Sequence, residues 1–410
     1  MRILMACGAF PPHFEGGAPV SALLVARMLV GEGHELRIMT VGDEDVRETY
    51  EGLEVHRVPT LNIDWNYWKP GRPVWKKGVW HILENGNPRA HAAMRREIAE
   101  YRPDVLLTDS IENINVASWA AARSMGVPVA HTLRNAFLLC WRSVMQKNGR
   151  NCDPRCVSCM VSSLGKRFFS RYVDAVCGET QGVIERHVDE GYFPQAATRC
   201  IPGVIDGEIA SAPRSMPRDR PFRIGFIGVH RPFKGLDVLG RAARRLEGDP
   251  SVEYVIAGTG KPGEEDIQRQ DFPRERTRFL GWSQPEEFFP QIDLLVFPSV
   301  GREAFGRVAI EAFGHGVPVI GSDLGGIAET IRPGDNGFLF PVADDAALAE
   351  CITRVAGDQV LYETLSRGAL ASTDAYRWDR VASQYTELLR LAVNQASARR
   401  GSGEREGLAS

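Results

Sequence analysis

The sequence lacks long apolar runs and a strong net charge, and both absences limit what the protein can do. Its 410 residues are 43% hydrophobic and 25% charged, with a formal net charge of −3. No segment approaches the roughly 18 consecutive apolar residues of a membrane-spanning helix. So small a net charge argues against nucleic acid as a partner. The first residues, Met1 to Gly8, become polar too early for a signal peptide, so we expect a cytoplasmic globular protein.

Apolar β-type runs alternate with helical patterns along most of the chain, which predicts α/β domains with parallel sheets. The chain is too long for one ordinary core, and the periodicity is lost in the proline-containing stretch that ends at Pro221. We predict two Rossmann-like, doubly wound domains, 1–205 and 222–375, which face each other across a cleft and are joined by a linker at 206–221. We expect a helix at 376–395 to cross back to the first domain and the polar tail 396–410 to be disordered.

Two carboxylates flank a predicted helix start in the second domain. Glu303 and Glu311 lie eight positions apart, with Gly306 between them. Eight helical steps return a side chain to within about 80° of its starting direction, roughly 12 Å further along the axis. A helix that begins near Gly306 places Glu303 in the loop before it and leaves the first-turn amides to hold an anion. One carboxylate suits sugar hydroxyls, the other a ribose and the amides a phosphate, which together predict a sugar-nucleotide site.

A cationic loop opens the same domain. Gly228 follows a strand, and Arg231 and Lys234 come just before the next helical pattern. These cations suit a diphosphate and the charge that a leaving group gains in a transition state. The alternative is a loop with two solvated cations.

The segment Phe226–Val342 resembles the donor domain of the family 4 retaining glycosyltransferases, which have the GT-B fold. The resemblance rests on Lys234-Gly235, on Gly281 after a short strand, on Phe297-Pro298-Ser299, on the paired glutamates and on Gly325-Gly326. The first domain fits the same family, with a strand that leads through Pro11-Pro12 and Gly16-Gly17 into a helix.

The resemblance implies a role for each matching residue. Glu303 would bind the hydroxyls of the donor sugar, Glu311 the ribose, and Arg231 and Lys234 the diphosphate. Backbone groups would contribute from Gly16, Gly17, Gly228, Gly281, Phe305, Gly306, Arg307 and Val308. Where the family often has Arg after the glycine, this chain has Val229, so Arg231 would substitute.

The resemblance also implies the reaction. A sugar would move from a UDP-, GDP- or ADP-sugar to a saccharide or lipid-linked acceptor with retention at the anomeric carbon. No cofactor or metal would be needed for catalysis, which would come from positioning and charge stabilisation.

Four cysteines, Cys140, Cys152, Cys156 and Cys159, mark an insertion at 140–160 in the first domain. Four thiolates suit a tetrahedral structural zinc ion; free thiols, a disulfide and an iron–sulfur cluster are the alternatives. The segment just before them contains His131, Arg134 and Asn135, which we consider as acceptor-side candidates without assigning a general base.

The stretch from Arg134 to Arg171 contains eight Lys or Arg residues and a single acid, Asp153. Together with its aromatic residues, this charge suits an anionic membrane surface at the inner face of the membrane or a lipid diphosphate acceptor. A solvated basic loop explains it equally well.

Three further motifs suggest other functions. Gly258-Thr259-Gly260-Lys261-Pro262-Gly263 fits a dinucleotide-binding pattern, but no apolar helix face follows it. Asp43-Glu44-Asp45 matches a metal motif of glycosyltransferases with another fold, and Cys152, Cys156 and Cys159 match the spacing of a radical-SAM cluster. A sugar-nucleotide epimerase or hydrolase, or a non-catalytic sugar-nucleotide-binding protein, remains the alternative on the same architecture.

Overall fold

The computed structural model describes residues 1–12, 17–63, 73–147, 149–261 and 263–407, which form two compact units. Unit 1 comprises Met1–Met145, Cys152–Pro202 and Trp378–Ser410, and unit 2 comprises Gln146–Asn151 and Gly203–Arg377. Each unit contains its own mainly parallel sheet with helices around it. The predicted α/β class with doubly wound domains is therefore confirmed.

In the first half of the chain, the described residues form ten strands and seven α-helices. The strands are β1 (Arg2–Cys7), β2 (Glu35–Gly42), β3 (Val46–Tyr50), β4 (Leu53–Pro59), β5 (Val105–Asp109), β6 (Val129–Leu133), β7 (Gln146–Lys147), β8 (Arg150–Asn151), β9 (Ala175–Gly178) and β10 (Ala197–Cys200). The helices are α1 (Gly17–Gly31), α2 (Val74–Leu83), α3 (Pro88–Tyr101), α4 (Ala117–Ser124), α5 (Val157–Ser162), α6 (Leu164–Phe169) and α7 (Gln181–Asp189).

The sheet of unit 1 has the strand order β10-β9-β6-β5-β1-β2-β4-β3. All neighbours pair in parallel except β3, which runs antiparallel to β4 at the edge. Its central strands are buried along their whole length, as expected when helices cover both faces. The chain leaves β1 toward β2 and later returns to β5 on the other side, so the topological switch point lies between β1 and β5.

In the second half of the chain, the residues that the structure describes form six strands and eight α-helices. The strands are β11 (Phe222–Ile227), β12 (Val252–Ala257), β13 (Thr277–Gly281), β14 (Leu294–Phe297), β15 (Val319–Ser322) and β16 (Gly337–Phe340). The helices are α8 (Leu236–Arg245), α9 (Glu264–Arg269), α10 (Pro285–Phe288), α11 (Arg307–Gly314), α12 (Gly326–Thr330), α13 (Asp345–Gly357), α14 (Gln359–Ser372) and α15 (Trp378–Gly407).

The sheet of unit 2 is parallel throughout, with the order β13-β12-β11-β14-β15-β16. Its two faces are covered by separate apolar clusters. The chain moves from β11 outward to β13 and then returns to β14 beside β11. The switch point, where open α/β sheets bind ligands, therefore lies at the carboxyl ends of β11 and β14.

The segment that we predicted as a linker, 206–221, is grouped with unit 2 and is anchored there by Arg214. The guanidinium of Arg214 donates to three main-chain carbonyl oxygens: His315 at 2.8 Å, Ile292 at 2.6 Å and Phe289 at 3.0 Å. The Arg214 amide also donates to the Ser366 hydroxyl at 2.8 Å. The segment lacks apolar periodicity because side-chain and main-chain hydrogen bonds hold it in place, and not a helix or a strand.

The C-terminal helix α15 belongs to unit 1 and extends further than we predicted. It continues through Gly407, whereas we expected a disordered tail from residue 396. Ala396 is buried, Arg399 pairs with the buried Asp174, and Arg400 donates to the Gly126 carbonyl at 2.6 Å. These contacts extend the helix beyond its apolar pattern.

The hairpin of β7 and β8 also differs from the prediction, which placed the whole insertion 140–160 in the first domain. Residues 146–151 are grouped with unit 2, where the Asn151 amide group donates to the Val300 carbonyl at 2.9 Å.

Among the described residues, no helix is both long enough and apolar enough to cross a bilayer.

The anchoring by Arg214 generates a stability prediction. Arg214→Ala leaves three buried carbonyl oxygens without their donor, so we expect unit 2 to lose about 2–4 kcal/mol of unfolding free energy. The measurement is urea unfolding followed by the fluorescence of the unit 2 tryptophan Trp282. Arg218→Ala, at an exposed position of the same segment, is the control and should cost less than about 0.5 kcal/mol. Equal effects of the two substitutions would contradict the anchoring role.

Candidate functional site

The loop after β11 begins with a close approach between two glycines. The Gly228 amide donates to the Ala257 carbonyl at 3.1 Å, and a Cβ on Gly258 would lie 1.8 Å from the Gly228 carbonyl oxygen. Gly258 has φ +116°, which side-chain-bearing residues rarely adopt. The Gly258 amide in turn donates to the Gly281 carbonyl at 2.6 Å. The predicted site residues Gly228 and Gly281 therefore lie at the carboxyl edge of one sheet.

The loop that carries Lys234 is fastened to the end of β14. Gly235 has φ +69°, and a Cβ there would lie 2.0 Å from the Pro298 carbonyl oxygen. The Phe233 carbonyl accepts hydrogen bonds from the amides of Val300 and Gly301, at 2.9 and 3.0 Å. Arg231 lies directly before this turn and is partly exposed. These contacts hold the cationic loop at the switch point of the sheet.

Lys234 and Glu303 form an ion pair there. The Lys234 ammonium lies 2.7 Å from Glu303 Oε1, and the two side chains are 21% and 18% exposed. Partial burial strengthens the attraction compared with a surface pair. The structure thus brings together the two residues on which the sequence prediction depended most.

Ser299 is a site residue to which the sequence prediction gave no role. Its hydroxyl donates to Glu303 Oε1 at 2.9 Å, and its carbonyl accepts a hydrogen bond from the Ser322 hydroxyl at 2.7 Å. Ser299 is fully buried. In the sequence, the feature that could have identified Ser299 as a site residue is its position directly after a strand and four residues before Glu303.

A glycine pair supports the backbone of the Glu303 loop. The Gly326 amide donates to the Glu303 carbonyl at 2.9 Å. A Cβ on Gly326 would lie 2.6 Å from the Ala304 carbonyl oxygen, and one on Gly325 would lie 2.8 Å from the Glu303 carbonyl oxygen. Only residues without a side chain permit this packing, so Gly325-Gly326 position the loop.

Helix α11 begins where the sequence predicts it. Gly306 is its N-cap, with φ +101° and no room for a Cβ beside the Phe297 ring, 2.6 Å away. Phe305 is buried against Tyr376, and Val308 packs partly into the same core. A helix leaves its first amides without partners inside the helix, so this end of α11 is suited to an anion.

Arg307 and Glu311 are paired on the first turns of α11. Arg307 Nη2 lies 3.0 Å from Glu311 Oε1, and both side chains are largely buried. Burial raises the pKa of Glu311 above its usual value, and the Arg307 charge opposes that shift. The carboxylate of Glu311 is thus a largely buried hydrogen-bond acceptor.

Two predicted donor-binding glycines lie in unit 1. Gly16 falls outside the described residues. Gly17 begins α1 and is exposed.

The acceptor-side candidates His131 and Arg134 are buried, which does not support direct contact with an acceptor. His131 contacts the Thr108 hydroxyl at 2.9 Å, and burial lowers its pKa to about 3, so its imidazole is neutral. Arg134 is bound by Asp109 at 2.8 Å and Glu179 at 2.6 Å, which explains its burial as an ion-pair centre.

Asn135 is the remaining candidate and is partly exposed. Its side-chain oxygen accepts a hydrogen bond from the Phe137 amide at 2.8 Å.

The cysteine cluster is only partly assembled. The Cys140 and Cys159 sulfurs lie 3.7 Å apart, and burial raises the pKa of Cys159 to about 12. A hydrogen bond with Ser158 lowers the pKa of Cys156 to about 7. None of the four cysteines forms a disulfide, and no three Cys, His, Asp or Glu residues in the described part of the chain are arranged to hold a metal ion. The structure therefore does not support the predicted four-thiolate zinc site.

Two of the alternative motifs have ordinary structural partners. Asp45 of the D-x-D sequence accepts a hydrogen bond from His56 Nε2 at 2.9 Å. The G-x-G-x-x-G stretch, in which Pro262 lies outside the described residues, leads into the short helix α9 and not into the first helix of its unit.

Two family models match the chain. A glycosyl transferase 4-like domain matches residues 16–203, and a glycosyl transferases group 1 domain matches residues 221–358. Together they span most of both units.

Two curated relatives match over most of their length. A protein of Klebsiella pneumoniae, described as an uncharacterized 42.6 kDa protein in the cps region, is 25% identical over 81% of this chain and 88% of its own. The phosphatidyl-myo-inositol mannosyltransferase of Mycobacterium leprae is 26% identical over 97% of this chain and 98% of its own.

A solved structure shares the fold. HepE of Anabaena in complex with UDP superposes with a TM-score of 0.71 at 19% identity, over 95% of this chain and all of that chain. The same protein in complex with UDP-glucose gives a TM-score of 0.68 at 20% identity, over 95% of this chain and 99% of that chain. With both domain models matched in order on a two-unit α/β architecture, the chain belongs to the GT4-like glycosyltransferases of the GT-B fold.

Proposed function

We propose that this protein transfers a sugar from a nucleoside diphosphate sugar to a saccharide or lipid-linked acceptor, with retention of the anomeric configuration and without a metal ion. The observation that carries the proposal is the Lys234–Glu303 pair at the switch point of the unit 2 sheet. A cation suited to a phosphate and a carboxylate suited to hydroxyls lie 2.7 Å apart there. A donor with a sugar joined directly to a diphosphate offers both partners at that spacing.

In the proposed complex, Glu303 accepts hydrogen bonds from hydroxyls of the donor sugar, and Ser299 keeps its carboxylate oriented. Lys234 turns its ammonium toward the diphosphate, and Arg231 adds a second positive charge. Charge grows on the diphosphate as it leaves, so these cations stabilise the transition state more than the ground state. The first-turn amides of α11 contribute in the same direction.

The reaction balances with these groups alone. The bond between the anomeric carbon and the diphosphate oxygen breaks, and a bond from the acceptor oxygen to that carbon forms on the same face of the sugar. The acceptor hydroxyl gives its proton to the departing phosphate oxygen. Since the leaving group takes that proton, His131, which is buried and neutral, is not required as a base.

Glu311 is proposed to bind the ribose of the donor. Its carboxylate has two acceptor oxygens, matching the two ribose hydroxyls, and Arg307 supports one of them. UDP is the first nucleotide to test, since HepE is described in complex with UDP and UDP-glucose. GDP and ADP are the alternatives, and a thermal-shift screen with the three nucleotides and their sugars identifies the donor.

Lys234→Ala tests the catalytic proposal. Removing the cation should lower kcat by about 10²–10³-fold, the usual cost of losing one preorganised charge in a transition state. The measurement is release of nucleoside diphosphate from the donor found in the screen. Arg367→Ala, at an exposed position on α14, is the control and should leave kcat unchanged.

Turnover of Lys234→Ala close to that of the unaltered protein would reject the role of this lysine. Nucleotide release that is undiminished without any acceptor would indicate a hydrolase. Binding of the donor without any turnover would indicate a non-catalytic protein. The anomeric configuration of the product, determined by proton NMR, tests retention.

Glu311→Gln tests the ribose contact through a comparison of two ligands. The unaltered protein should bind UDP about tenfold or more tightly than 2′-deoxy-UDP, because a buried acceptor loses its hydroxyl partner in the deoxy ligand. In Glu311→Gln, most of this difference should disappear. The measurement is calorimetric titration of both ligands with both proteins, and an unchanged ratio would exclude the contact.

The raised pKa of Glu311 adds a pH dependence. The deprotonated carboxylate is the form that accepts from both hydroxyls, so affinity for UDP should fall as the pH decreases through this pKa, which lies above that of an ordinary glutamate. Glu311→Gln should lack this fall. Parallel curves for the two proteins would assign the pH dependence to another group.

A further inference from the structure

Helix α2 has an apolar face that unit 1 does not cover. Trp75, Val79 and Ile82 follow one another at the spacing of a helix face, and all three are exposed. Ile82 is 71% exposed, whereas Trp80 on the opposite side is buried in the core. The helix is therefore apolar on two sides, and only the side that carries Trp80 packs in the core.

Helices α5 and α6 repeat this feature. Val157, Val161, Leu164 and Phe168 lie at positions i, i+4, i+7 and i+11, and all are exposed. Val157 is 73% exposed, and Met160 beside it is exposed as well. Each of these two short helices thus presents exposed apolar side chains, and Ser163 separates the two helices.

The two sets of exposed apolar side chains belong to one surface. The Asn85 side-chain nitrogen, just after α2, donates to the carbonyl of His81 at 2.8 Å and to that of Ser162 at 2.7 Å. Gly165 packs so closely that a Cβ would lie 2.2 Å from the Asn85 carbonyl oxygen. An open groove of about 700 Å³ lies between the helices. We call the exposed set the α2–α6 surface; it comprises Trp75, Val79, Ile82, Val157, Met160, Val161, Leu164 and Phe168.

The helices that form the α2–α6 surface carry basic residues and no acidic ones. The segments 73–83 and 154–173 contain no Asp or Glu. Lys76 lies 5.8 Å from the ring centre of Trp75, and the Arg171 guanidinium lies 4.5 Å from that of Phe168. Both cations are exposed, so a basic edge adjoins the apolar side chains.

Part of the basic sequence does not contribute to this edge. Lys166 is buried and donates to the Phe137 carbonyl at 2.8 Å, and burial lowers its pKa to about 8. Arg134 is enclosed by its two carboxylates. The charge that the sequence concentrates at 134–171 is thus divided between internal ion pairs and the exposed rim.

We propose that the α2–α6 surface docks onto an anionic lipid bilayer, with its apolar side chains entering the interface and Lys76 and Arg171 facing the headgroups. Exposed apolar patches rimmed by polar residues mark interaction sites. Amphipathic helices with basic edges and Trp, Phe and Leu on the other face bind in the plane of anionic membranes. Charge complementarity selects this occupant over an uncharged apolar partner. The inference goes beyond the proposed function, because none of these residues belongs to the donor site.

The test is flotation of the full chain with vesicles of phosphatidylcholine alone and of phosphatidylcholine mixed with phosphatidylglycerol. We expect binding to the mixed vesicles only, weakened by added salt. The double variant Ile82→Ser, Val157→Ser should bind about tenfold or more weakly, because it removes two inserting side chains. Lys76→Ala and Arg171→Ala should each weaken binding about fivefold.

The matched control is Ile267→Ser, Val360→Ser, the same two substitutions at exposed positions of unit 2. It should float with the mixed vesicles as the unaltered protein does. Retention of the thermal shift with the donor nucleotide in both double variants would show that folding and the donor site are intact. Failure of vesicle binding is thereby separated from failure of the proposed function.

Three results would overturn the proposal. The first is no flotation of the unaltered protein with anionic vesicles. The second is equal loss of binding in the two double variants. The third is self-association of the unaltered protein that Ile82→Ser, Val157→Ser abolishes, measured by light scattering, since it would assign the α2–α6 surface to a second copy of this chain.

Discussion

The proposed donor site depends on one constraint: a lysine loop and a glutamate loop, which follow adjacent strands far apart in sequence, must meet. The pairing of β11 with β14 brings the two loops to the same edge, and the contact of Gly235 with the Pro298 carbonyl fixes the remaining distance. The 2.7 Å contact between Lys234 and Glu303 is the result. Charge placed by a rigid backbone needs little reorganisation when a reaction develops charge, which is why such preorganisation is effective in catalysis.

Much of this site could be predicted from the sequence, because its geometry depends on patterns between residues that are near one another in the chain. Glu303, Gly306 and Lys234 stand at strand-to-helix junctions, where turn residues and apolar periodicity fix the geometry. Ser299 was visible as the end of a strand, but its hydrogen bond to Glu303 depends on the direction of a side chain. Such directions are set by tertiary packing, which local patterns do not encode.

The features that the sequence did not predict concern residues whose partners are distant in the chain. Arg134, an acceptor-side candidate, follows a strand directly, and Asp109 and Glu179 enclose it. Arg214 lies in a segment without periodicity, yet three carbonyl oxygens from other parts of unit 2 bind it. The end of α15 is polar, yet Ala396 is buried and Arg400 is bound by a carbonyl oxygen of unit 1. Ion pairs and hydrogen bonds between residues that are distant in the chain produce no periodic pattern in the sequence, so a search for such patterns does not find them.

The contacts of Gly235, Gly258 and Gly326 have a consequence for how this protein diverges. At each position a single added carbon would meet a carbonyl oxygen at 2.6 Å or less, so these three positions tolerate almost no substitution. A change of ligand at the proposed donor site would therefore keep the paths of these loops and exchange the side chains that project from them. Related enzymes would then differ in the side chains carried by an unchanged loop backbone. Insertions would accumulate in other parts of the chain.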